Sequence, residues 1–117
     1  MKKEEKDLLL KDLSSRLPYG VKFKTPTGFD TLDCIDADGW INAVFEHSYV
    51  LEEIKPYLFP LSSMTAEQEM ECQQIKHSYY YDDDSFVLFD WYDKNHIDYR
   101  GLIPKGLAID ATGLNIY

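Results

Sequence analysis

Residues 21–45 read VKFKTPTGFDTLDCIDADGWINAVF. β-branched and aromatic residues recur there in short runs separated by turn formers, the pattern of strands rather than of a helix. Val21 to Thr25 is one run, Pro26-Thr27-Gly28 a turn, and Phe29 to Asp36 a second run. Asp38-Gly39 then supplies hairpin chemistry, because glycine accepts a positive φ without steric cost. Trp40 to Phe45 returns as a third run. The expectation is a three-stranded antiparallel meander.

Upstream, Lys3 to Leu17 reads as a helix: Leu9, Leu10, Leu13 and Leu17 share one face, and Asp7 stands four residues before Lys11. Pro18 and Gly20 stop it. Downstream, Ser48 to Lys55 is ambiguous between a helical turn and a strand. Each proline removes a ladder donor, so Pro56 to Pro60 is expected along a sheet edge or the surface. SSMTAEQE at 62–69 opens a second helix, in which Thr65 and Gln68 form a capping box. Glu67 and Glu69 suit its positive end, and Lys76 and His77 its negative end. Ala66, Met70 and Ile75 make only a thin apolar face, and residues 82–84 break the helix. Ser85 to His96 combines strand-forming FVLF with a helical face of Leu88, Trp91, Tyr92 and Asn95, and helix is favoured. The tail is punctuated by Gly and Pro, with at most a short strand near Leu107 to Ile109.

The chain of 117 residues fits one compact domain over 1–117, and 44% hydrophobic and 15% aromatic residues are enough for a core. The fold class is therefore α+β: an N-terminal helix, a three-stranded meander and two further helices. Charge is distributed unevenly. Residues 1–24 carry a net +3, residues 25–93 a net −13 and residues 94–117 a net +1. So acidic a middle repels phosphate backbones, which argues against direct nucleic-acid binding and for a basic protein partner. Cys34 and Cys72 stand alone, as two half-buried thiols of a reduced, cytoplasmic protein. The first residues resemble neither a signal peptide nor a membrane span.

Two stretches, KPYLFPLSSMTAEQE at 55–69 and FDWYDKNHIDYRGLIPKGLAID at 89–110, carry a resemblance. They are similar to blocks in a group of small proteins of gut anaerobes, their phages and mobile elements, for which no activity is established. The resemblance implies a cytoplasmic, phage-related or mobile-element accessory protein. Phe59 stands where the group has an arginine, which leaves that loop less basic.

Several residue sets invite chemistry. Asp33, Asp36 and Asp38 precede Gly39, but aligning Gly39 with the sixth position of a calcium loop puts Cys34 first and Phe45 twelfth, and neither coordinates calcium. Asp82, Asp83 and Asp84 repel one another and cannot all face one ion, so no metal is expected there. Glu53-Ile54-Lys55, with Asp36 or Asp38, resembles the acidic–ExK arrangement of restriction-endonuclease-like nucleases, where carboxylates hold Mg²⁺ and the lysine orients water. His47, His77 and His96 are widely spaced; His96 with Asp98 could pair as acid and base, with no nucleophile beside them. Neither GxGxxG nor a P-loop occurs, and no cofactor is expected. Trp40, Phe45, Phe86, Phe89 and Trp91 read as core.

The stretch YYYDDDSFVLFDWYD at 79–93 holds seven aromatics, five aspartates and no base. Tyr79, Tyr80 and Tyr81 cannot all be buried on one face, and tyrosine beside Asp82, Asp83 and Asp84 suits recognition of Lys or Arg. The favoured reading is a non-enzymatic acidic protein-interaction module that occupies a basic surface of a nucleic-acid-handling partner. The alternative is a small metal-dependent nuclease-like hydrolase using Asp36, Asp38, Glu53 and Lys55.

Overall fold

In the computed structural model, which describes residues 1–45, 47–78 and 85–117, the N-terminal leucines form helix α1 (Lys3–Arg16). The Glu5 carboxylate accepts the Lys2 N–H at 3.2 Å and closes its first turn. The helix tightens into a 3-10 turn at Leu17–Tyr19 and ends on Gly20, whose φ of 62° suits a residue without Cβ. Leu9 and Leu13 are wholly buried, while Leu10 and Leu17 are half-buried. The buried stripe continues instead through Asp12 and Arg16, two charged residues. The i,i+4 ion pair of this helix is Asp12–Arg16; Asp7 and Lys11 are exposed and make no ion pair among the described residues.

The meander is present as β1 (Lys22–Thr25), β2 (Gly28–Ile35) and β3 (Ile41–Ala43). Its second turn runs from Asp36 to Trp40 with Gly39 at φ 84°. Asp36 Oδ1 accepts the N–H groups of Asp38 and Trp40 at 3.0 and 3.1 Å. These bonds hold its pKa below the ordinary carboxylate value, the one from Trp40 most of all. A bulge between Leu32 and Cys34 shifts the register on β3. Strict alternation would send Leu32 and Ile35 to opposite faces; the extra residue lets both pack on the core.

The sheet is larger than a meander. It has six strands in the order β4-β3-β2-β1-β5-β6, with β4 (Ser48–Tyr49), β5 (Lys55–Leu58) and β6 (Ile109–Asp110) added to the first three. All pairings are antiparallel except β5–β6, which is parallel. The expectation of an edge or surface position for Pro56 is corrected: β5 lies inside the sheet and Pro56 is fully buried. Pro56 stands opposite Phe23 on β1, and pairing with β6 begins only at Tyr57. An imide nitrogen is tolerated where no ladder donor is required of it, and the next residue resumes the pairing.

Val21, Phe23, Ile41, Ile54 and Leu58 join Leu9 and Leu13 in an apolar, mostly aliphatic core between α1 and the sheet. Full burial of each such side chain contributes roughly 1.5–3 kcal/mol. A second cluster forms where α2 (Ala66–Ser78) and α3 (Ser85–Lys94) meet the chain after β5. The capping box of α2 is present: Gln68 N–H donates to Thr65 Oγ1 at 3.1 Å, and Thr65 N–H to Gln68 Oε1 at 3.0 Å. Its inward face, however, is Gln68, Cys72 and Ile75, whereas Ala66 and Met70 are exposed. Cys72 Sγ lies 3.7 Å from the Tyr92 hydroxyl, and burial, with this contact, pushes the Tyr92 phenol up to about 12. Cys34 is exposed, so the two thiols are not alike.

The aromatics also depart from expectation. Trp40, Phe45 and Phe89 are exposed and Trp91 is half-buried, while the side chain of Phe86 lies outside the described set. Among the described residues, Phe23 and Tyr92 are the buried phenyl and phenol rings. No helix among the described residues is long and apolar enough to cross a membrane.

Candidate functional site

The densest polar constellation joins α1, α3 and the DYRGLI segment at 98–103. Asp12 receives Arg16 in a two-pronged pair, Nε to Oδ2 at 2.8 Å and Nη2 to Oδ1 at 3.0 Å. Arg16 Nη2 also donates to the Ile97 carbonyl at 2.7 Å. Arg100 Nη1 reaches Asp12 Oδ1 at 2.9 Å and Ser15 Oγ at 3.0 Å. Asp93 Oδ1 accepts from the Tyr99 hydroxyl at 2.9 Å and from Ser15 Oγ at 3.2 Å. It stands 3.9 Å from Arg16 Nε and 4.0 Å from Arg100 Nη1. Two guanidinium groups thus face two carboxylates, which offsets the burial of Asp12, Arg16 and Asp93, while Arg100 stays partly exposed at the edge.

Burial nevertheless wins at Asp93, where it raises the pKa above the ordinary carboxylate value against the opposing pull of Arg16, Tyr99, Arg100 and Ser15. The Tyr99 phenol is raised as well, by burial first and by its bond to Asp93. Asp98 locks the segment that carries these groups. Its two carboxylate oxygens accept the N–H groups of Leu102 and Ile103 at 2.8 and 2.9 Å. The block quoted for its resemblance is thus a structural clasp: Asp98 folds the turn, Tyr99 and Arg100 bind α1 and α3, and Leu102 enters the core.

A groove of about 550 Å³ opens beside this network, lined by Val87, Phe89, Asp90 and Arg100 among others. Its aromatic wall is Phe89 stacked on Tyr99 at 5.2 Å between centroids, and behind it Tyr99 stacks on the buried Tyr92 at 5.1 Å. The Arg100 guanidinium lies 4.5 Å from the Tyr99 ring centre. The Tyr19 hydroxyl donates to Asp90, and that bond raises the Tyr19 pKa.

No family model, no curated protein and no solved structure matches this chain. The reading of the site therefore rests on its geometry.

The residues singled out from sequence fall in separate places. Tyr79, Tyr80, Tyr81, Asp82, Asp83 and Asp84 lie outside the described residues. The Asp…ExK set is not brought together. Lys55 pairs with Lys24, which pairs with Phe29 on its other side, so Glu53 and Lys55 sit at one end of the sheet. Asp36 follows Phe29 along the whole of β2, roughly 20 Å away at the rise of a strand. Glu53 Oε1 accepts the Val50 N–H at 3.1 Å, and Asp36 is occupied with its own turn. Among the described residues, no three His, Cys, Asp or Glu side chains gather where they could hold a metal ion.

His96 and Asp98 do not form a pair, because Asp98 is spent on Leu102 and Ile103. His96 lies under Tyr117, with ring centres 3.8 Å apart, and its buried Nδ1 has no hydrogen-bond partner among the described residues. Burial, reinforced by Arg16 and Lys22, lowers its pKa to about 4.

Sequence reasoning missed Asp12, Arg16, Asp93, Tyr99 and Arg100 as a group. One signal was available: Arg16 falls three residues after Leu13 on the apolar stripe of α1, where a charge must find a buried partner. Its partners at 93 and 100 had no local signature.

Proposed function

We propose that this chain is an acidic protein-binding module whose partner presents a basic surface, the carboxylates standing where phosphates would sit. One observation supports this reading above others. Of the exposed carboxylates described within residues 25–93, only Glu52 has a cation within 4 Å, namely Lys6 at 2.7 Å. Asp33, Asp38, Glu53, Glu67, Glu69 and Asp90 are exposed with no ion pair among the described residues. Lys24 and Lys55 line a hollow with Glu52 and Glu53, and Lys76 one with Glu69, yet none of these lysines closes an ion pair among the described residues. Arg16 and Arg100 are committed to the buried network, and Lys24 and Lys55 face each other across β1 and β5. An acidic surface left without internal counterions attracts a cationic partner over a Debye length, raising the on-rate more than the affinity.

Calorimetric titration with a short lysine- and arginine-rich peptide tests the reading. Affinity should fall about tenfold from low to physiological salt, and Glu67→Gln with Glu69→Gln should flatten that dependence. Binding insensitive to salt, or none at low salt, removes it.

A further inference from the structure

The groove beside the buried network has the chemistry of a receptor for one kind of side chain. We infer that it takes an arginine of the partner protein, whose guanidinium lies on the open face of Phe89 and donates to Asp90. This rests on the acidic-module reading and names where that module grips.

Three observations carry it. Phe89 is 46% and Val87 40% exposed although both belong to α3, so the groove presents apolar surface that the chain itself leaves uncovered among the described residues. Asp90 lines the same groove, and its only described partner is the Tyr19 hydroxyl. A carboxylate offers about four acceptor sites, so acceptor capacity is left for an incoming donor. Among the described residues no lysine or arginine is paired with Asp90.

The third observation is a precedent inside the fold. Arg100 sits 4.5 Å from the centre of Tyr99 while donating to Asp12 at 2.9 Å. Tyr99 is the ring on which Phe89 stacks at 5.2 Å, with 9° between the planes. A guanidinium on the outer face of Phe89 would extend this pile by one layer, and Asp90 would play the part of Asp12. Arginine suits the place better than lysine. Its plane can lie flat on a ring while its N–H groups point outward in that plane, whereas an ammonium holds its water and has no face to stack.

The test is a nuclear magnetic resonance titration of the isotopically labelled chain with acetylated Gly-Ser-Arg-Ser-Gly amide. The matched peptides carry lysine or citrulline at the centre. The arginine peptide should shift amides of residues 87–93 and of Tyr99 and Arg100, and bind about fivefold tighter than the lysine peptide. Citrulline, planar but uncharged, should bind weakest. Asp90→Asn, an exposed and nearly isosteric change, should weaken the arginine peptide at least about threefold. Phe89→Ala, with the dispersion of its spectrum as a check on folding, should abolish the preference for arginine over lysine. Equal shifts with all three peptides, or full affinity in Asp90→Asn, overturn the assignment. Salt-sensitive binding that perturbs only α2 or the β2–β3 turn sinks the groove and leaves the acidic module standing. Absence of binding by any peptide at low salt sinks both.

Discussion

Helix α1 buries itself twice, by two different means. Towards the sheet it offers Leu9 and Leu13 to an apolar, mostly aliphatic core. Towards α3 and the tail it offers Asp12, Ser15 and Arg16 to an array of charges and phenols. The first contact asks only for apolar volume and would accept many partners of the right size. The second asks for named groups at named distances: Asp12 must meet both Arg16 and Arg100, and Ser15 must meet Asp93. An aliphatic face supplies stabilisation, whereas a buried ionic one supplies register, because any slip leaves a charge unpaired. That division explains how α3 and a punctuated tail are held in one arrangement against the same α1.

The contrast predicts unequal responses to substitution. Removing Arg16 should be the costliest change, since it leaves Asp12 buried without its two-pronged partner. Arg16→Met is expected to lose about 3–5 kcal/mol in chemical denaturation. A loss under 1 kcal/mol would mean that water already reaches the pair. Leu13→Ala on the other side of the helix should cost about 3 kcal/mol through lost burial and a residual cavity. It should leave the ring-current shifts of Tyr99 and Phe89 in place, and their collapse would show that the two regions are not separable.

A smaller effect should appear with pH. His96 is held neutral in the fold, with a pKa of about 4, and titrates at its ordinary value near 6.5 when unfolded. Between those values the unfolded chain binds more protons, so stability is full above the upper value and falls as pH drops. The folding constant should lose up to about tenfold per pH unit in that window. Asp93 acts in the opposite sense, because its raised pKa favours the fold at low pH and that contribution is lost as pH rises through it. Comparison with His96→Asn, which tolerates the left-handed φ of 59°, isolates the histidine. Superimposable pH profiles of the two proteins would contradict the assignment. The least effect is expected at the edge of the second region: Thr65→Ala should remove one cap bond from α2 and cost about 1 kcal/mol. An unchanged thermal midpoint would show that this end of the helix adds nothing to the global fold.

Much of the first region was legible residue by residue. The leucine spacing of α1 and the turns at 26–28 and 38–39 are local signals, and each is found where its chemistry places it, as is the Thr65–Gln68 box of α2 outside it. The second region was not, since its meaning lies in contacts between residues 78 to 88 positions apart. The same holds for the misplaced rings. Trp40, Phe45 and Phe89 are apolar by type, but burial depends on which face of the sheet or helix another element covers.

On its own, the amino-acid order determined the α+β character, the chain positions of the helices and meander, and the excess of negative charge. Each follows from periodicity, turn chemistry or a count, all of which act within a few residues. Only the tertiary structure decided that a proline-bearing strand would lie inside the sheet and that β6 would join it in parallel. It also decided that Arg16 and Arg100 would be committed to Asp12 and Asp93, so that among the described residues only Glu52 of the exposed acids in 25–93 has a cation within 4 Å. Such outcomes are set by competition among distant segments for one core, where the cost of an unpaired buried charge selects a single arrangement.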